Sequence, residues 1–134
     1  MARDDETGAI AAATYFLTEL YPYTEMSQDT TSWVAMSHPD CVFCKSVLAD
    51  IAAQRDANRV AVIAPIRVQD HTLAILGPAM FSVKFEIRTG PDEDFSAAGV
   101  SLGRTTADGG TANVIVVRQG TTWRTRGVDL TRHP

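Results

Sequence analysis

The residues best suited to chemistry lie in one short stretch, His38-Pro39-Asp40-Cys41-Val42-Phe43-Cys44-Lys45-Ser46, which holds both cysteines of the chain. Two cysteines two residues apart can be a redox dithiol, half of a metal site or a local bridge. Asp40 is placed to cap a helix, its carboxylate accepting from the free amides of the first turn. Cys41 would then be the first helical residue, with Cys44 one turn on, and the partial positive charge of a helix N-terminus favours a thiolate. That is the case for a dithiol. Against it, thioredoxin-like enzymes set C-x-x-C after a strand in a βαβ unit, and here helical and loop sequence precedes the motif. A structural metal site needs a second pair of ligands. His38 and Asp40 are adjacent candidates and His71 and His133 distant ones, and no metal site is expected. The favoured reading is a Cys41–Cys44 disulfide stapling a helix to the loop before it, which contributes about 2 kcal/mol in the chain-entropy model. A bridge persists only outside a reducing cytosol. If the protein is cytosolic, the cysteines are expected reduced and unconnected.

Acid–base candidates are fewer. Asp70 and His71 are the one acid–histidine neighbour pair in a probable strand, but strand neighbours point to opposite faces unless a bulge re-aims them. Glu86 shares a face with Lys84 and Arg88, a solvated pattern. Tyr15 falls on the first helix, where a packed ring with a satisfied hydroxyl is expected. A pocket between that helix and the strands would draw on Tyr15, Trp33, Phe85 and Trp123. No phosphate loop, G-x-S-x-G or H-E-x-x-H occurs. No catalytic residue and no cofactor is assigned.

The elements that must position these residues divide the chain in two. Residues 5–25 read as a helix, with Ile10, Ala13, Leu17, Leu20 and Tyr21 on one stripe. Pro22 is expected to end or kink it, with Tyr23–Ser27 as a loop. Gln28–Thr31 signals a second start, Ser32–Met36 a short helix, and a third helix runs to about Asn58. Its expected inner face is Cys44, Val47, Leu48, Ile51, Ala52 and Arg55. From Val60 the period changes to two. Val60–Asp70 reads as a strand with an edge or bulge at Pro65, and Leu76-Gly77-Pro78 as a turn. Met80–Thr89 alternates cleanly, Phe81, Val83, Phe85 and Ile87 facing one way. Gly90–Asp94 is an acidic turn, Phe95–Leu102 a possible strand, and Asp108-Gly109-Gly110 flexible. Thr111–Arg118 and Thr121–Leu130 form a closing hairpin about Gln119-Gly120. Helices over about 5–58 followed by four or five antiparallel strands over about 60–131 predict a single α+β domain spanning 1–134, its N-terminal helices packed on a curved antiparallel sheet.

The totals agree. A chain of 134 residues, 45% hydrophobic and 21% charged, can bury a core in one domain. The net charge is −4 and only Lys45 and Lys84 are lysines, which disfavours a phosphate-binding surface and nucleic acid. Residues 1–30 carry six acids against Arg3, and residues 104–134 carry five arginines against Asp108 and Asp129, so the first helix and last strands are expected to complement each other or to be solvated, with an anion-binding face as the alternative. No apolar run is long enough to span a membrane, and no export signal is visible ahead of Asp4-Asp5-Glu6. The chain is read either as cytosolic or as one from which such a signal was trimmed.

The helix AAATYFLTELYPY, followed by SHPDCVFC opening a helix that ends near DIAAQ and then by a sheet-rich half, resembles a family of actinobacterial lipoproteins of unknown function. That architecture is similar to the nuclear transport factor-like (cystatin-like) cone, in which a bent sheet wraps a long first helix. The resemblance implies an extracytoplasmic disulfide and attachment to the cell membrane through a lipid anchor upstream of this chain. It implies no reaction. The expectation is a non-catalytic module that binds a small apolar ligand or a protein partner, with a homodimer as one form. The alternatives are a small isomerase or dehydratase using the cone cavity, and a thiol–disulfide protein using Cys41 and Cys44.

Overall fold

The computed structural model describes residues 2–132. Three helical segments, α1 (Ala2–Tyr15), a π turn (Phe16–Leu20) and α2 (Tyr21–Ser27), join into one continuous run. Pro22 therefore does not end the helix, and Tyr23–Ser27 is helix rather than loop. The physical reason is the π turn just before it. There the Tyr21 N–H donates to the Phe16 carbonyl, five residues back, and Pro22 falls at an early position of α2, where a missing N–H costs little. The run stops at Gln28, whose left-handed φ of 60° lets its N–H donate to the Thr24 carbonyl at 2.9 Å. Ala9, Ala13, Phe16, Leu17 and Leu20 form the buried stripe. Its N-terminal part packs closely on the sheet: a Cβ at Gly8 would lie 2.9 Å from the Trp123 ring.

Asp29 opens the next segment, its carboxylate accepting from the Thr31 N–H at 3.1 Å. The short helix α3 (Thr31–Met36) and the helix α4 (Val42–Asp56) follow. The cap of α4 is Cys41, not Asp40. Its Sγ accepts the Cys44 N–H at 3.1 Å, because the bond to Cys44 folds that sulfur over the first turn. Asp40 stands one residue earlier, exposed, with its carboxylate 3.5 Å from Arg126 and 3.8 Å from His38. The inner face of α4 is narrower than its apolar spacing predicts. Cys44, Val47 and Ile51 are buried and Leu48 half-buried, while Ala52 and Arg55 are exposed. The helix packs on β7 and on Phe16, Leu20 and Trp33.

Seven strands make two antiparallel sheets: β1 (Val60–Val62), β4 (Glu93–Phe95) and β5 (Ser101–Arg104) in the order β1-β4-β5, and β2 (Ile66–Gly77), β3 (Met80–Thr89), β6 (Asp108–Gln119) and β7 (Thr122–Arg132) in the order β2-β3-β6-β7. The single strand expected over Val60–Asp70 is split at Pro65, which cannot donate to a ladder, and its halves join different sheets. β2 runs on through Gly77, so the turn is Pro78-Ala79. β4 occupies part of the expected acidic turn, and a turn about Gly99 (φ 81°) interrupts the strand expected over Phe95–Leu102. Asp108–Gly110 is the start of β6, not a flexible link. The alternation of β3 and the β6–β7 hairpin, with Gly120 at φ 67°, are as the sequence predicts.

Two buried clusters result. One sits between α1 and the large sheet, built on Phe81, Val83, Phe85, Val114 and Val116 with Ala9, Ala13 and Leu17. The other joins Phe16, Leu20, Trp33, Val47, Ile51 and both cysteines. Each large apolar side chain so enclosed contributes roughly 1.5–3 kcal/mol. Arg118 pairs with Asp5, joining the last hairpin to the first helix as the charge distribution predicts.

Candidate functional site

The large sheet bends round the helical run and leaves a cavity of about 520 Å³ at one end. Its walls are Leu17 and Tyr21 from the helical run, Phe43 from α4, and Ile66, Ile87 and Leu130 from the concave side of the sheet. Pro65 splits the chain between the two sheets, and β1 of the small sheet packs against α2. The links into and out of that sheet bring Asp92, Arg104 and Thr105 to the mouth. They are fixed there: the Asp92 carboxylate accepts the Ala64 N–H at 2.9 Å, and the Asp92 N–H donates to the Thr105 hydroxyl at 2.8 Å. Asp108, three residues beyond Thr105, also lines the cavity and accepts the Gly109 N–H at 2.8 Å. Volume and apolar lining are those of a small-molecule pocket.

Behind the Tyr21 wall is a group of acids that the sequence reading missed. Glu25, one turn beyond Tyr21, is only 5% exposed. Burial, then the carboxylates of Asp50 and Asp94 and more weakly Asp92, raise its pKa to about 7, while a hydrogen bond from Gln54 opposes the rise. The Gln54 side-chain oxygen is itself buried without a partner. The Tyr21 hydroxyl is held protonated by burial, reinforced by Glu25, Asp92 and Asp50. Only the i, i+4 spacing of Tyr21 and Glu25 on the helix could have signalled this group. Its members on α4 and β4 come from distant sequence.

The sequence candidates are dispersed. Trp33 is fully buried in the second cluster, its ring stacked on Phe16 at 4.4 Å and its indole N–H donating to the Cys44 carbonyl at 3.0 Å. Phe85 is in the sheet core, Trp123 packs on Phe81 at 5.9 Å and Tyr15 is 45% exposed. None of these four residues lines the cavity, although Tyr21 and Phe43, which do, touch Trp33 at 6.1 and 6.2 Å. Asp70 and His71 form a bulge in β2, where the register shifts between Gln69 and Thr72 and Asp70 takes φ 52°. Both are exposed there. Glu86 is exposed on the outer face with Lys84 and Arg88. His38 lies in the link before α4, its Nδ1 accepting from the Asp40 N–H at 3.0 Å. His133 lies outside the described residues. Among those described, no three His, Cys, Asp or Glu side chains are grouped to hold a metal ion.

Cys41 and Cys44 are bonded to each other. Both are buried, at 0% and 1% exposure, in the second cluster, while Phe43 between them in sequence lines the cavity. Reactive cysteines sit in partly exposed, electropositive surroundings, and this pair has neither feature.

No protein-family model and no curated protein matches the chain. Solved structures match along nearly its whole length. A Cytophaga hutchinsonii protein described as NTF2-like superposes with a TM-score of 0.63 at 10% identity, covering 92% of this chain and 94% of that one. A Caulobacter vibrioides protein with a cystatin-like fold gives 0.61 at 12%, covering 97% and 91%. A putative scytalone dehydratase from Novosphingobium aromaticivorans gives 0.61 at 11%, covering 96% and 85%. The fold is the nuclear transport factor-like, cystatin-like α+β cone. At these identities the likeness concerns the fold alone. Among the described residues, no helix is long and apolar enough to cross a membrane.

Proposed function

We propose that this domain is a non-catalytic module that holds a small apolar molecule in the cone cavity, and that it belongs to an extracytoplasmic, cell-envelope lipoprotein. The observation that carries the binding reading is the 520 Å³ cavity walled by Leu17, Tyr21, Phe43, Ile66, Ile87 and Leu130. The Asp92 bonds support it, because they tie the Ala64 N–H and the Thr105 hydroxyl together across the mouth. The Cys41–Cys44 bridge supports the placement outside the cytosol. A protein partner, or a second copy of the chain on the outer sheet face, is the alternative use of the module.

One observation favours a second reading, an isomerase- or dehydratase-like enzyme: Glu25 holds its proton near neutral pH beside Tyr21, which lines the cavity. It ranks second because Glu25 is not among the lining residues. A thiol–disulfide role ranks third, given the burial of both sulfurs.

The binding reading is tested by titrating the protein with the neutral probe N-phenyl-1-naphthylamine. Saturable binding is expected, falling at least tenfold in Ile87→Trp, which fills the cavity, with the circular dichroism spectrum unchanged. Absence of saturable binding, or an Ile87→Trp variant that binds as well, contradicts it.

A further inference from the structure

The chemistry of the cavity goes further than its apolar lining. We infer that the preferred ligand is an amphipathic cation, an apolar body bearing a protonated amine, rather than a neutral or anionic molecule of the same shape. This rests on the cavity being the ligand site.

Charge around the cavity is one-sided. Asp92 and Asp108 stand at its rim, and Arg104 is the only cation among the described residues that line it. Arg104 lies directly opposite Glu93 in the β4–β5 ladder, so a neighbouring acid offsets its charge. Behind the Tyr21 wall, Asp50 from α4 and Asp94 from β4 add two more carboxylates, and Glu25 from α2 adds part of a charge at neutral pH. The groups that act electrostatically on Tyr21 and Glu25 are all acids. A cavity with apolar walls focuses such a field instead of screening it. An ammonium group entering at the Asp92 side gains from this field, and a carboxylate entering there is repelled.

The aromatic walls point the same way. Tyr21 and Phe43 have ring centroids 6.1 Å apart, and both line the cavity. Their negative ring faces attract a cation and do nothing for an anion. The acids choose the charge of the head group, while Leu17, Ile66, Ile87 and Leu130 receive the apolar body.

The test is calorimetric titration of the intact domain with three straight-chain compounds of one length: a primary amine, an alcohol and a carboxylic acid. At pH 7 and low salt the amine is expected to bind on the order of tenfold more tightly than the acid, with the alcohol between them. Raising the salt should narrow the gap. Asp92→Asn, which keeps an oxygen for the Ala64 N–H, should reduce the preference. Asp50→Asn should do so too, and it sits on an exposed helix surface where folding is not at risk. An acid that binds as tightly as the amine overturns the inference and leaves the cavity as a ligand site. A preference unchanged in both variants also overturns it. Failure of all three compounds to bind overturns the cavity reading along with it.

Discussion

Two sides of the helical run are finished in opposite ways, although Phe16 and Leu17, like Leu20 and Tyr21, are neighbours in the chain. On one side Phe16, Leu20, Trp33, Val47, Ile51 and the Cys41–Cys44 bridge close into a filled cluster, with the one indole N–H in it satisfied. On the other side Leu17 and Tyr21 line a cavity together with Ile66 and Ile87. What differs is what covers the run. Side chains of α3 and α4 fill the first side. On the second, Pro65 splits the chain between two sheets, and the space between Tyr21 and Ile87 stays open. The filled side is a foundation, and the open side is where a ligand can go.

Truncation should separate the two sides most sharply. Trp33→Ala is expected to cost about 3–5 kcal/mol, because the ring is fully buried and stacked. Ile87→Ala, at a wall already facing a void, should cost less than about 2 kcal/mol. Urea denaturation of both variants checks this, and equal costs would erase the distinction. Opening the bridge is next. Reduction, or Cys41→Ser with Cys44→Ser, should lower stability by about 2 kcal/mol, and glutathione at cytosolic poise should leave the native bridge closed. Ready opening would instead mark the filled side as redox-active.

The acids on the open side give a pH signature. Glu25 titrates near 7 in the folded chain against an ordinary value of 4.5. The unfolded chain therefore loses this proton first, and stability falls as pH rises from 4.5 towards 7, by about 3 kcal/mol through this group. Glu25→Gln should be as stable as the parent at pH 4 and more stable by about that amount at pH 8. Denaturation midpoints across this range decide it, and parallel curves for the two proteins would mean that Glu25 is solvated. The smallest effect is expected at Asp40. Its pairings are exposed and Cys41 caps the helix, so Asp40→Ala should shift stability by less than about 0.5 kcal/mol. A loss of about 1 kcal/mol would restore Asp40 as a cap.

The fold was legible where local pattern and tertiary need agree. Phe81, Val83 and Phe85 alternate because one side of β3 is core, and the hairpin turns at Gly120 because its backbone requires a positive φ. Helix positions followed the apolar stripe. Boundaries failed where long-range structure overrides a local rule. Pro22 ends a helix in isolation but not after a π turn, and Val60–Asp70 is one strand by pattern yet two by sheet membership. The site was less legible. Its walls come from the first helix, α4 and three strands, and no short motif joins Tyr21 to Ile66 or Glu25 to Asp94. The large aromatics drew attention through their size, and size put Trp33 and Phe85 into the core instead.

The most direct test of the open side as a ligand site is amide chemical-shift mapping during titration with N-phenyl-1-naphthylamine. The account predicts shifts confined to the neighbourhood of Tyr21, Ile66, Ile87, Arg104 and Gly109, with Val47 and Ile51 unmoved. Shifts centred on Val47 and Ile51 or on the outer face around Lys84 and Glu86, or no shifts at all, would contradict it.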